Sequence, residues 1–203
     1  RIARHGQAFT RNGKINLNGG TVSNGTVSTS STNSSTGLGG NICSAGTINV
    51  QGGTISNGTA TTTTVTSDTG NGGNVYVRGT LNMKKGSITG GNAQTTYSET
   101  TNDTKVYAGC GGNIYNAGTL NIYGGTISTG TATTVNKQYH TGCGGNIFSL
   151  DKSILIDGTE TVGTNDAIVI TGGSAVAGSS NNNYGLGGNI FIRNDANTVI
   201  EVE

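Results

Sequence analysis

The sequence predicts an all-β fold: a parallel β-solenoid of about five to six coils, each with three short strands and with variable loops along one edge. Three observations carry this. The string Gly-Gly-Asn followed by Ile or Val occurs five times, starting at Gly39, Gly72, Gly111, Gly144 and Gly187. Apolar residues alternate with polar ones inside each copy. Gly, Thr, Asn and Ser make up more than half of the 203 residues, and proline is absent. This composition excludes a helical bundle on propensity and collagen for want of proline. No run approaches the ~18 apolar residues of a membrane helix. A net charge of +1 gives no field for attracting nucleic acid. A polar, glycine-rich chain also invites a reading as disorder, but a disordered chain has no reason to keep five copies in phase.

The chain reads as one domain, with a lead-in over 1–12, repeat coils over 13–192 and a final strand over 193–203. The Gly-Gly-Asn steps are 33, 39, 33 and 43 residues. A second motif accompanies them: GKINLNGGTVS from Gly13, GTINVQGGTIS from Gly46, GTLNMKKGSIT from Gly79 and GTLNIYGGTIS from Gly118. AIVITGGSAVA from Ala167 reads as a degenerate fifth copy. Within the copies Ile15, Leu17 and Val22, then Ile48, Val50 and Ile55, then Leu81, Met83 and Ile88, then Leu120, Ile122 and Ile127 alternate with polar residues, as strands with one buried face require. A further strand follows each Gly-Gly-Asn, led by Ile42, Val75, Ile114, Ile147 or Ile190. Glycine and asparagine supply the left-handed corners. Stacking places like residues ~4.8 Å apart, so a chain too polar for an ordinary core still buries aliphatic columns. Missing proline fits, since it would remove donors from the ladders.

Variable segments fall at one corner: NGTVSTSSTNSSTG, NGTATTTTVTSDTG, GNAQTTYSETTNDTKVYAG, GTATTVNKQYHTG and GSSNNNYG. An excursion around Ser153 to Asp166 accounts for the long last step. Loops gathered on one edge are where solenoids carry binding function.

The stretch GGNVYVRGTLNMKKGSITGGNA, Gly72 to Ala93, resembles the repeats of right-handed parallel β-helix proteins with the pectin-lyase-like fold, found in large bacterial surface proteins including those of gut Firmicutes. The Gly-Gly-Asn-Ile string is also similar to the Gly-Gly-Ala-Ile repeats of chlamydial polymorphic outer-membrane adhesins. The resemblance covers most of 13–192. It implies a right-handed helix, a secreted or cell-surface location and a structural or adhesive role. Polysaccharide lyases and galacturonases share the fold, so a carbohydrate-active β-helix with its site on the variable-loop edge is the alternative. Their catalytic motifs do not map onto this chain: there is no Asp-Asp pair, no Gly-His-Gly and no Arg-Ile-Lys. Fold alone does not carry function.

Asp68, Glu99, Asp103, Asp151, Asp157, Glu160, Asp166 and Asp195 do not recur at one repeat position and read as solvated. His5 and His140 have no partner at metal-ligand spacing. No catalytic residue, metal or cofactor is expected. Cys110 and Cys143 share the slot held elsewhere by Leu38, Asn71 and Leu186, which reads as partly buried at most. Stacked rungs bring such Cα atoms within ~4.4–6.8 Å, so a cross-rung disulfide and a pair of partly buried thiols are both open. Tyr76, Tyr115, Phe148 and Phe191 form an aromatic column, with Cys43 in its first position. Alternation points these side chains away from the aliphatic core, either as an exposed platform for sugar or protein or as a self-packing ladder under the loops. The pairs Thr21 and Ser23, Thr54 and Ser56, Ser87 and Thr89, Thr126 and Ser128 read as polar strand surface, with an ice-binding array as the rival.

The chain has no initiator Met or signal peptide and neither end reads as a cap, as expected of a processed or excised piece. Residues 1–67 carry Arg1, Arg4, Arg11 and Lys14 without an acid, whereas acids outnumber bases over 151–203. This charge asymmetry makes a second copy stacked head to tail an expected partner; a host or glycan surface is the partner that the resemblance implies.

Overall fold

The computed structural model describes residues 8–30, 36–63, 69–96, 107–134, 142–159, 167–177, 185–193 and 200–202. Over these the chain winds as a right-handed parallel β-helix with three sheets. The first sheet has six strands: Ala8–Thr10, Ile42–Ser44, Val75–Val77, Ile114–Asn116, Ile147–Leu150 and Ile190–Arg193. The second, of nine, comprises Lys14–Leu17, Thr21–Ser23, Thr47–Ser56, Thr80–Thr89, Thr119–Ile122, Gly125–Ser128, Ile154–Ile156, Ile168–Thr171 and Ile200–Val202. The third has five: Thr26–Thr29, Thr59–Thr62, Asn92–Thr95, Thr131–Thr134 and Ser174–Val176. Pairing is parallel and aligns like with like, as in Ile48↔Leu81, Ile55↔Ile88 and Leu81↔Leu120. Ile48, Val50, Ile55, Leu81, Met83, Ile88, Leu120, Ile122 and Ile127 are fully buried in one continuous core. Each such side chain contributes about 1.5–3 kcal/mol relative to exposure.

Three short strands per coil were expected; three sheets form, but from a different division of the coil. The strands led by Ile15 and Val22, and their counterparts, share the second sheet; in coils two and three they fuse into the ten-residue strands Thr47–Ser56 and Thr80–Thr89. The third sheet comes from residues read as the start of the variable segments. There Val27, Ala60, Ala93 and Ala132 alternate with partly or fully exposed neighbours and are buried. Thr29, Thr62, Thr95 and Thr134 are buried two residues on. Low apolarity hid a strand whose inward positions are alanine and threonine.

The last full coil is also registered differently from the sequence reading. Ile154–Ile156 pairs with Leu120–Ile122, so Ser153–Asp157 belongs to the coil rather than to an excursion. Ile168–Thr171 pairs with Gly125–Ser128 and Ser174–Val176 with Thr131–Thr133. AIVITGGSAVA thus continues the second half of the motif into the third sheet. Its glycine pair occupies the corner of Thr129 and Gly130: both Thr129 and Gly172 have positive φ, 54° and 63°.

The Gly-Gly-Asn corner does more than turn. Asn41, Asn74, Asn113 and Asn146 are fully buried. Each Nδ2 donates to the next coil's Asn Oδ1: Asn41 to Asn74 at 2.8 Å, Asn74 to Asn113 at 2.7 Å, Asn113 to Asn146 and Asn146 to Asn189 at 2.8 Å. The other Nδ2 proton goes to a backbone carbonyl of the same coil, that of Ser56, Thr89, Ser128 or Thr171. The Oδ1 atoms also accept from backbone N–H groups of Gly25, Gly58, Gly91 and Gly130. The corner needs close backbone approach. A Cβ on Gly112 would lie 2.2 Å from Gly145 O, so that position is glycine on steric grounds.

Candidate functional site

The aromatic column lies on the outer side of the first sheet, stacked by the same register that aligns the aliphatics. Ring centroids of Tyr76 and Tyr115 are 5.0 Å apart, those of Tyr115 and Phe148 4.8 Å, and those of Phe148 and Phe191 5.8 Å. Interplanar angles of 12°, 25° and 24° make this a near-parallel stack. Tyr107 tilts against Phe148 at 5.3 Å.

The column is not an exposed platform. Tyr76, Tyr115 and Phe148 are buried, and Phe191 is half-buried. Backbone entering each Gly-Gly-Asn corner folds over the rings, so Leu38, Cys110 and Cys143 join Cys43, Tyr76, Tyr115 and Phe148 in a second, smaller core. Alternation correctly turned these side chains away from the aliphatic interior. It carried no information on the layer above them. The same layer corrects the reading of the cysteine slot: Leu38, Asn71, Cys110 and Cys143 are buried rather than partly so. Cys110 and Cys143, stacked at this slot in successive coils, are both fully buried. Cys43 is also a buried thiol, and burial pushes it up to about 11 against the opposing charge of Arg78.

Polar groups gather at the rim of this layer. Arg78 Nε donates to Tyr76 Oη at 3.4 Å. The Arg193 guanidinium lies 4.9 Å from the Tyr107 ring centroid, and its Nε is 3.7 Å from Asp151 Oδ1. Asp151 sits at φ 51° with that oxygen buried and without a hydrogen bond. Burial raises the Tyr107 hydroxyl above the ordinary tyrosine value, outweighing Arg193. Sequence reading placed Asp151 among the solvated acids and missed this cluster. Its members come from three coils: Asp151 follows Leu150, the register partner of Arg193, whereas Tyr107 enters from the irregular segment before Gly111. Two-carboxylate hydrolysis needs a second acid, and among the described residues no three His, Cys, Asp or Glu side chains converge. Asp68, Glu99, Asp103, Glu160, Asp166, Asp195, His5 and His140 lie outside the described residues.

The Thr/Ser columns of the second sheet are mostly half-buried and bond to one another. Ser87 Oγ donates to Thr54 Oγ1 at 3.1 Å, and Thr89 Oγ1 and Ser128 Oγ are 3.0 Å apart. Beside them Asn16, Asn49, Asn82 and Asn121 form a second amide ladder at 2.8, 3.0 and 2.9 Å. Its donors point toward the preceding coil, opposite to those of the buried ladder. No helix among the described residues is long and apolar enough to cross a membrane.

Comparison with protein-family models, curated proteins and solved structures found no match to this chain.

Proposed function

We propose that this chain is a non-catalytic structural and adhesive rod of a secreted or cell-surface bacterial protein, displaying its variable segments along one edge. One observation carries the reading: those segments leave and re-enter the helix at stacked positions. Thr63 N–H donates to Thr29 O at 3.0 Å and Thr96 N–H to Thr62 O at 2.9 Å where they leave. Gly70 N–H donates to Thr36 O at 3.4 Å and Gly109 N–H to Thr69 O at 3.3 Å where they return. A frame whose interior groups are matched coil to coil tolerates different insertions at such a corner.

The test is a glycan array and a cell-adhesion assay, run on the chain and on a variant carrying 64–68 in place of 97–106. Binding that follows the exchanged segment, without product release, supports the reading. New reducing ends or unsaturated uronides from a polysaccharide would replace it with a carbohydrate-active function.

Head-to-tail stacking is the second reading. It is favoured by the charge asymmetry of the chain: residues 1–67 carry bases and no acid, and acids outnumber bases over 151–203. Negative-stain images showing only short, uniform particles at high concentration would remove it.

A further inference from the structure

Five Asn-Gly junctions occur, at Asn12-Gly13, Asn18-Gly19, Asn24-Gly25, Asn57-Gly58 and Asn71-Gly72. An asparagine followed by glycine cyclises readily, because no side chain shields the glycine nitrogen from the carboxamide carbon. That attack requires the glycine N–H to be released from other bonds. Four of the five are engaged. Gly13 N–H donates to Thr10 Oγ1, Gly25 N–H to Asn41 Oδ1 and Gly58 N–H to Asn74 Oδ1, each at 2.7 Å, and Gly72 N–H donates to Cys110 O at 3.0 Å. Space separates the junctions in the same way. A Cβ on Gly25, Gly58 or Gly72 would meet backbone at 2.1, 2.3 and 2.3 Å, whereas one on Gly19 or Gly20 would meet nothing within 4 Å. Asn18, Gly19 and Gly20 are all exposed.

We propose that Asn18 is a spontaneous modification site, the one junction among the five that the fold leaves open to deamidation, with water as the only co-reactant. The Gly19 nitrogen bonds to Asn18 Cγ, the Cγ–Nδ2 bond breaks, and ammonia departs carrying the Gly19 amide proton. Water then opens the five-membered imide at either carbonyl, leaving aspartate or its β-linked isomer. No electrons are transferred. The product adds a carboxylate to the first coil, whose described charged residues, Arg11 and Lys14, are cations. The other four junctions are protected by the hydrogen bonds of their glycine amides, so the same chemistry is slowed there.

The test is incubation of the whole chain in mildly alkaline buffer, with peptide mapping for the amide-to-acid mass gain and for isoaspartate. Asn18 is expected to convert about tenfold or more faster than the other four, as an amide freed of one hydrogen bond would. In concentrated urea the five should react at comparable rates. Gly19→Ala, at a position with room for the methyl group, should suppress conversion while circular dichroism stays unchanged. Thr10→Val should release the Gly13 amide and make Asn12 a second site. Equal rates in the folded chain, an unmodified Asn18, or a lead for Asn18 that persists in urea would overturn the proposal.

Discussion

Asn74 donates to Asn113 Oδ1 at 2.7 Å across 39 residues of sequence, and both side chains are fully buried. The bond is one link of a ladder in which each interior carboxamide uses two protons and two acceptor positions. Asn74 also receives Asn41 Nδ2 and Gly58 N–H and donates to Thr89 O. Removing it strands partners in two neighbouring coils. Asn74→Ala should cost about 3 kcal/mol or more, because each orphaned buried group costs ~1–3 kcal/mol. Asn74→Asp keeps the acceptors but sets a carboxylate against Asn113 Oδ1 and Thr89 O, and should also destabilise. Urea unfolding of the two variants checks both statements.

Steric exclusion at the corner gives a sharper contrast. Gly112→Ala would place a methyl 2.2 Å from Gly145 O and 2.3 Å from Thr131 N, both rigid backbone atoms. It should prevent folding or lower stability by more than about 4 kcal/mol, the range reserved for severe defects. Gly19→Ala, with nothing within 4 Å, should be near neutral. Soluble yield and melting temperature separate the two.

Cys43 makes stability depend on pH. Its buried thiol is pushed from 9.0 up to about 11. Between about pH 9 and 11 the folded chain therefore holds a proton that the unfolded chain has lost. The contribution is fully present below that window and declines as pH rises through it, by about 2–3 kcal/mol in total. Cys43→Ala should show a correspondingly shallower loss in urea titrations across this range. The native thiol should react slowly with alkylating reagents, as thiols buried in apolar surroundings do.

The aromatic layer should act on stability and not on ligand capture. Phe148 contacts Tyr115, Phe191 and Tyr107 and is fully buried. Phe148→Ala should cost about 3–5 kcal/mol through the cavity it leaves. Glycan binding by the fraction that remains folded should be unchanged. Calorimetry with a parallel array experiment distinguishes this from a binding platform.

Much of this architecture was legible from periodicity. Ile48, Leu81 and Leu120 recur at one place in the motif and do stack. Periodicity failed where inward residues are small or polar. Ala60 and Thr62 look like loop residues, yet they build the third sheet because neighbouring coils supply their contacts. The Gly-Gly-Asn repetition signalled a corner, but that its asparagine is an interior residue depends on hydrogen bonds to the next coil. The rings of Tyr115 and Phe148 were placed in the right column with their exposure left open between a platform and a covered ladder, since the segment that covers them is irregular; they form the covered ladder. Arg193 holds the repeat slot of Arg78, and Asp151 follows its register partner Leu150, so stacking brings these two together; what the sequence did not signal is Tyr107, which comes from the irregular segment before Gly111.

In-register stacking of successive coils is tested most directly by engineered cross-linking on the outer ladder. Asn49 and Asn82 are register partners with side chains 3.0 Å apart, and Asn121 lies one coil further on, beside Asn82. Asn49→Cys combined with Asn82→Cys should form a disulfide on mild oxidation, since stacked Cα atoms fall within ~4.4–6.8 Å. Asn49→Cys combined with Asn121→Cys should not. A bridge in the second pair, or none in the first while the chain remains folded, would contradict the stacked parallel helix.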